Sequence, residues 1–297
     1  MKNSILLLFV SFFMANMAFA QEEISVKLKD KKFYDAEAIA YVVEIPQATY
    51  KDIERAWPKY LKDSPKEKVL EEKGLFSIEK KYLPKISNDS IDINSYIKEY
   101  DGHVILAVSF KLNGKYISDD SRDEVHYPTL EYVRAFAVAE YQNAVKDELN
   151  SEKKKLDQYQ ADFNNLVREN DNKRDAIKQA KRDILTNKDL ITINEMDQSG
   201  TVLQIQAQKE LIYKLVNSFG DEQKDADKKL KEMERDFKQL QNKKDQLNNK
   251  IDNLQSQIRS NEREIIENEK QQKLLSLEKD DQEYVVQKLQ KKLERIK

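Results

Sequence analysis

The chain contains no cysteine, and among its 297 residues there are only five glycines, five prolines, two histidines and one tryptophan. Without cysteine there is no disulfide, no thiol nucleophile, no iron–sulfur cluster, no cysteine zinc site and no lipid on an N-terminal cysteine. His103 and His126 do not stand in a metal-ligand pattern and are read as structural or exposed. Metal-dependent cell-wall peptidase domains, which some envelope coiled coils carry or activate, need more histidine than this. The sparse glycines form neither a phosphate-cradling loop nor a G-x-S-x-G elbow. With 54 acidic residues, carboxylate pairs arise everywhere and none stands out for acid–base work. The sequence therefore assigns no catalytic, no cofactor-binding and no metal-binding residue, and the expectation is a protein that is not an enzyme and uses no cofactor.

There is also no surplus of one charge. Lys and Arg number 52 against 54 Asp and Glu, and neither half of the chain is strongly basic. That argues against nucleic acid, which needs excess cations on one face. Dense balanced charge, at 36% of residues, instead suits solvated helices laced with i,i+4 pairs.

Long hydrophobic runs are missing too, except at the start. Lys2, the apolar stretch from Ile5 to Met14 and the Ala18-Phe19-Ala20 cleavage pattern read as a signal peptide over residues 1–20, with Gln21 as the mature start. No later segment could span a bilayer. The expected mature chain has no transmembrane segment. It is exported to the periplasm or the extracellular space, soluble or peripheral to the envelope.

Residues 21–126 read as a small α+β domain. Glu37 to Ile45 is a β-branched strand stopped by Pro46. Thr49 then caps a helix, with Asp52 three positions on. Ile53, Ala56, Trp57, Tyr60 and Leu61 share one face of that helix, and Pro58 should kink or shorten it. Strands are expected at Lys68–Glu72, Leu75–Leu83, Ile91–Tyr100, Val104–Leu112 and Lys115–Ser118, with turns at Asp101-Gly102 and Asn113-Gly114. A strand, a helix and then a run of strands points to an antiparallel sheet with one or two helices.

Beyond that domain the pattern changes to heptads. A helix expected from Pro128 carries seam residues Leu149, Leu156, Phe163, Asn170, Ile177, Ile184 and Ile191. A second series runs from Val202 through Lys209 and Val216, then Leu230, Phe237, Ile251 and Ile258. Between them stands Asp197-Gln198-Ser199-Gly200, the clearest breaker in this half. Reversal there would place Leu156 opposite Leu240, Asn170 opposite Ala226, Ile177 opposite Phe219 and Ile184 opposite Ile212. The fold-class expectation is thus α+β, a small antiparallel sheet domain followed by a long antiparallel helical-hairpin coiled coil. The hairpin spans residues 127–270 with its tip near residues 197–200 and arms of about 90 Å. Gly220 reads as a soft point in the second arm. Residues 271–297 read as a separate amphipathic helix built on Val286, Leu289, Leu293 and Ile296.

Two features could serve as binding surfaces: the tip, Glu195 to Thr201, and the aromatic set Trp57, Tyr60, Phe76, Tyr82, Tyr96 and Tyr100. The layout resembles a family of exported Bacteroidetes-type proteins with a small α+β N-terminal domain and a long coiled-coil C-terminal region. The resembling stretches are Ala18 to Gln21, the strand-to-helix passage from Val43 to Trp57, the strand from Val104 to Gly114 and the charged helical tail. That resemblance implies compartment and architecture, and carries no activity. The leading expectation is a non-enzymatic cell-envelope scaffold or interaction protein, its small domain a docking head and its coiled coil a spacer. Protein partners would engage the tip or the small domain, and a homo-oligomer is possible. The alternative is a periplasmic holdase chaperone with helical-hairpin arms, although such proteins tend to be shorter and more basic.

Overall fold

The computed structural model describes residues 23–33, 36–64, 66–72, 74–215 and 221–297. The expected signal peptide and the Gly220 soft point lie outside them. No described helix is long and apolar enough to cross a membrane. The chain divides into two compact units: Met1–Lys155 with Gln282–Lys297, and Leu156–Asp281.

The first unit is built on an antiparallel sheet. Its strands are β1 (Val26–Phe33), β2 (Ala36–Pro46), β3 (Leu70–Glu72), β4 (Leu75–Lys81), β5 (Ile91–Tyr100), β6 (His103–Leu112) and β7 (Lys115–Tyr116). They lie in the order β1-β2-β6-β5-β4-β3, with β7 pairing β6. Helix α1 (Tyr50–Tyr60) joins β2 to β3. The Thr49 side chain accepts from the Asp52 backbone N–H, as the capping pattern requires. Pro58 sits in the last turn and the helix ends two residues later. At the β6–β7 turn Asn113 and Gly114 both take positive φ, 51° and 82°, which matches the strand twist of a two-residue hairpin.

Alternation along the strands sorts their side chains onto two faces. One face carries Tyr41, Val43 and Ile45 of β2, Ile91 and Ile93 of β5, and Val104, Leu106, Val108 and Phe110 of β6, all buried. Ile53, Trp57 and Leu61 of the α1 region cover this face, as do Val133, Phe136, Ala137 and Tyr141 of the next helix, all buried as well. Trp57 and Phe136 pack edge to face at 4.8 Å.

Strand β1 was not expected from the sequence. Its residues, Val-Lys-Leu-Lys-Asp-Lys-Lys-Phe, are poor in strand formers. It nevertheless pairs with β2 over its whole length, from Val26 opposite Val43 to Phe33 opposite Ala36. As an edge strand it is protected from further pairing by those lysines.

Helix α2 runs from Asp123 to Leu215, and α3 from Asp221 to Arg295. The helix thus begins five residues before Pro128, which lies inside it. The tip expected near residues 197–200 is not there, since α2 continues unbroken through Gly200. Nor is residue 271 a boundary: the expected tail helix is the last part of α3. Within the first unit that tail meets both the helix and the sheet domain. The Gln142 side chain donates to the Ile296 carbonyl, and Lys292 donates to the Gln47 side chain, 3.0 Å away.

Within the second unit α2 and α3 are antiparallel. Gln160 pairs with Lys279, Asn170 with Asn268, Lys173 with Glu264, Glu195 with Lys244 and Lys209 with Glu234, in opposite chain order. Asn170 was expected opposite Ala226. Its partner Asn268 is six heptads further along, so the true register preserves the heptad phase while moving the reversal past Leu215. The seam of α2 keeps its first phase, with Ile177, Ala180, Asn194 and Gln208 buried. Val202 and Lys209, expected in the seam, are exposed. The seam of α3 follows the second series from Gln223 onward, with Ala226, Leu247 and Ile251 buried.

Candidate interaction surfaces

The aromatic set does not form one surface. Trp57 and Phe76 are fully buried. The Trp57 indole N–H donates to Ser95 Oγ at 2.7 Å, and Ser95 Oγ donates on to the Phe76 carbonyl. Tyr60 lies over Trp57 and exchanges two hydrogen bonds with Tyr132, each hydroxyl donating to the other residue's carbonyl. Burial pushes both tyrosine hydroxyls up in pKa. Tyr82 is exposed.

His126 belongs to the packing. Its Nδ1 lies 2.9 Å from the Tyr41 hydroxyl, whose pKa is raised by burial and, less, by Asp119. Among the described residues there is no group of three or more His, Asp or Glu side chains that could hold a metal ion.

Tyr96 and Tyr100 belong to the other face of the sheet. The floor there is small and apolar: Ala38, Ala40, Val42 and Ala107 are buried together with Phe33. The Phe33 and Tyr96 rings meet 5.5 Å apart. The small alanine side chains leave the room these two rings fill. Around this floor stand aromatic and cationic groups. Tyr100 stacks on His103 with the rings 9° from parallel, and Lys98 Nζ lies 5.0 Å from the Tyr100 ring. The Tyr100 hydroxyl beside it holds the Lys98 ammonium above its usual pKa. Lys111 Nζ is similarly 5.7 Å from the Tyr116 ring. Such a face offers flat aromatic area and ammonium groups together, the chemistry that receives acidic and aromatic side chains. It was legible in part: Tyr96, Lys98 and Tyr100 alternate with the buried Ile93, Ser95 and Ile97.

The residues expected at the tip, Glu195 to Thr201, instead lie mid-helix. Met196, Gly200 and Thr201 border a shallow groove opposite Asp236, Leu240 and Lys243 of α3. On the seam side, Asn194 accepts from Gln198 at 2.7 Å, and Glu195 pairs with Lys244 at the same distance. The Asn194 amide nitrogen is the one buried side-chain atom without a hydrogen-bond partner among the described residues. On the outer side α2 exposes Leu185, Ile193, Met196, Leu203 and Leu211.

No protein-family model matches the chain, and no curated protein matches it.

Proposed function

We propose that this chain is a non-enzymatic cell-envelope scaffold, exported by its N-terminal segment, with the small domain as docking head and the coiled coil as spacer. One observation carries the reading: the second sheet face, where Tyr100, His103, Lys98, Lys111 and Tyr116 stand around the buried cluster of Phe33, Ala38, Ala40, Val42 and Ala107. A face of this composition suits a protein partner bearing acidic and aromatic side chains. The resemblance to exported Bacteroidetes-type proteins supports the compartment.

A photo-crosslinking residue at Tyr100 in living cells, with fractionation of the envelope, tests this reading. The expected result is a discrete adduct with one envelope protein, lost on Lys98→Glu. A chain retained in the cytoplasm, or no discrete adduct, counts against it.

The holdase alternative is favoured by a different observation, the exposed apolar side chains of α2 from Leu185 to Leu211. Suppression of client aggregation by the purified chain, lost when Met196 and Leu203 become serine, would support that alternative.

A further inference from the structure

The outer face of α2 carries a pattern that reads the same in both directions. Leu185, Asp189, Ile193 and Met196 are followed by Gly200, Leu203, Ala207 and Leu211, at spacings of three and four that keep them on one side of the helix. All eight are exposed, Met196 at 68%, Leu203 at 66% and Leu185 at 62%. The sequence of spacings is symmetric about a point between Met196 and Gly200. The next residues on the same side, Arg182 and Lys214, are both cations and close the stretch at either end.

We propose that this face is a self-association surface, on which a second copy of the chain docks antiparallel about a two-fold axis passing between Met196 and Gly200. Three observations identify the occupant. First, the two-fold matches large with large and large with small: Leu185 meets the partner's Leu211, Ile193 meets the partner's Leu203, and Met196 meets the partner's Gly200. Second, Gly200 is a notch. A Cβ built there would meet nothing within 4 Å, so the space beside it is open for a methionine side chain. This gives a mid-helix glycine a packing role, where it otherwise only weakens the helix. Third, one pair of charges beside the apolar stretch is complementary. Lys188 and Glu210 lie on the same edge of the face, both exposed, and neither forms an ion pair among the described residues. The same axis brings Lys188 within two residues of the partner's Glu210, twice by symmetry, while beyond the apolar stretch Arg182 falls opposite the partner's Lys214, a like-charge contact at the exposed ends. Asp189 is the polar exception and meets the small Ala207, which leaves its carboxylate room to reach water. The contact is about 40 Å long. An isologous patch of this kind is self-complementary by construction, which an unrelated partner or an unfolded client would not require. The inference stands apart from the docking-head reading, which concerns the sheet face.

The test is the solution mass of the full chain across a concentration series, by sedimentation and light scattering. A dimer is expected. Gly200→Gln fills the notch while favouring the helix, so its circular dichroism stays helical and its mass falls to that of a monomer. Lys188→Glu weakens the dimer at least tenfold, and adding Glu210→Lys restores it. Because the chain has no cysteine, mixing Met196→Cys with Gly200→Cys gives a disulfide-linked pair that neither forms as readily alone. A wild-type chain that stays monomeric at every concentration overturns the proposal, as does a dimer indifferent to Gly200→Gln. A monomer that instead suppresses client aggregation through this face overturns it in favour of unfolded chains as the occupant.

Discussion

Trp57 is the only tryptophan in the chain and reports on the sheet domain alone. Its indole N–H is buried and spent on Ser95. Ser95→Ala removes the acceptor and strands that donor in the core, so a loss of about 1–3 kcal/mol is expected in urea unfolding followed by Trp57 fluorescence. Lys81 is the other unusual core residue. It follows a bulge in β4 after Ile78, its side chain is 1% exposed, and its Nζ donates to Asp63 at 2.6 Å and Glu67 at 2.8 Å. The two acids are on the surface side, with Asp63 at 70% exposure. Removing them, as Asp63→Asn with Glu67→Gln, leaves a buried ammonium and costs about 3–5 kcal/mol. Lys81→Met costs less, because both carboxylates can then hydrate. The hydrogen bond from Lys81 holds the Glu67 carboxyl below its usual range. A lowered folded-state pKa stabilises above the unfolded value and ceases to do so as pH falls through the folded one. The Trp57 unfolding midpoint should therefore be flat near neutrality and fall below about pH 4. In Lys81→Met that acid-dependent fall should be smaller.

At the scale of the helices, the question is register. Heptads specify which residues face the partner helix, and they repeat every seven residues. Sliding one helix past the other by whole heptads restores the same facing pattern. Reversal at Gly200 and reversal beyond Leu215 give registers that differ by six heptads, and the two are degenerate in that respect. A lone glycine costs only up to about 1 kcal/mol in a helix, too little to break α2 when seam layers on both sides of it, Asn170 with Asn268 and Gln208 with Ala226, are made with α3. What separates the two registers is the polar layers. Asn170 is buried and accepts from Asn268 at 2.9 Å, a pairing that the earlier register would have replaced by Asn170 against alanine. Two heptads along from that pair, Ile184 and Leu254 occupy matching seam positions. A double-mutant cycle of Ile184→Ala with Leu254→Ala should show coupling of about 0.5 kcal/mol or more, whereas Ile184→Ala with Ile212→Ala should be additive. Asn170→Leu alone removes the shorter of the two hydrogen bonds that Asn268 donates and should lower the helical melting temperature. Changing both to Leu should raise it while loosening the choice of register.

For the whole molecule the two units predict unequal stability. The sheet domain buries large side chains on one face of its sheet, Trp57, Tyr41, Tyr141, Phe110 and Phe136 among them. The second unit is two helices with a single seam, and that seam contains buried Asn170, Asn194 and Gln208. Few apolar contacts per turn mean easier opening. On heating, the circular dichroism signal of the helices should begin to fall before Trp57 fluorescence changes. Coincident transitions would show instead that the units unfold as one. In acid the second unit should soften further: the hydrogen bond from Lys173 holds the Glu264 carboxyl low, and its stabilising effect disappears as that carboxyl is protonated.

The sequence by itself determined the class of each half: strand alternation and turn residues for the sheet domain, heptad phase for the helices, and the Thr49 cap between β2 and α1. Each of these is a local property, set by the period of the side chains and by the conformations a few residues allow. Only the tertiary structure decided where the helices reverse, because a periodic seam has no unique origin. The partnership of β1 was likewise tertiary: a lysine-rich stretch becomes a strand when a neighbouring edge offers it hydrogen bonds over eight residues. So was the division of the aromatic residues between the two faces of the sheet, which depends on which face receives Trp57 of α1 and Phe136 of α2.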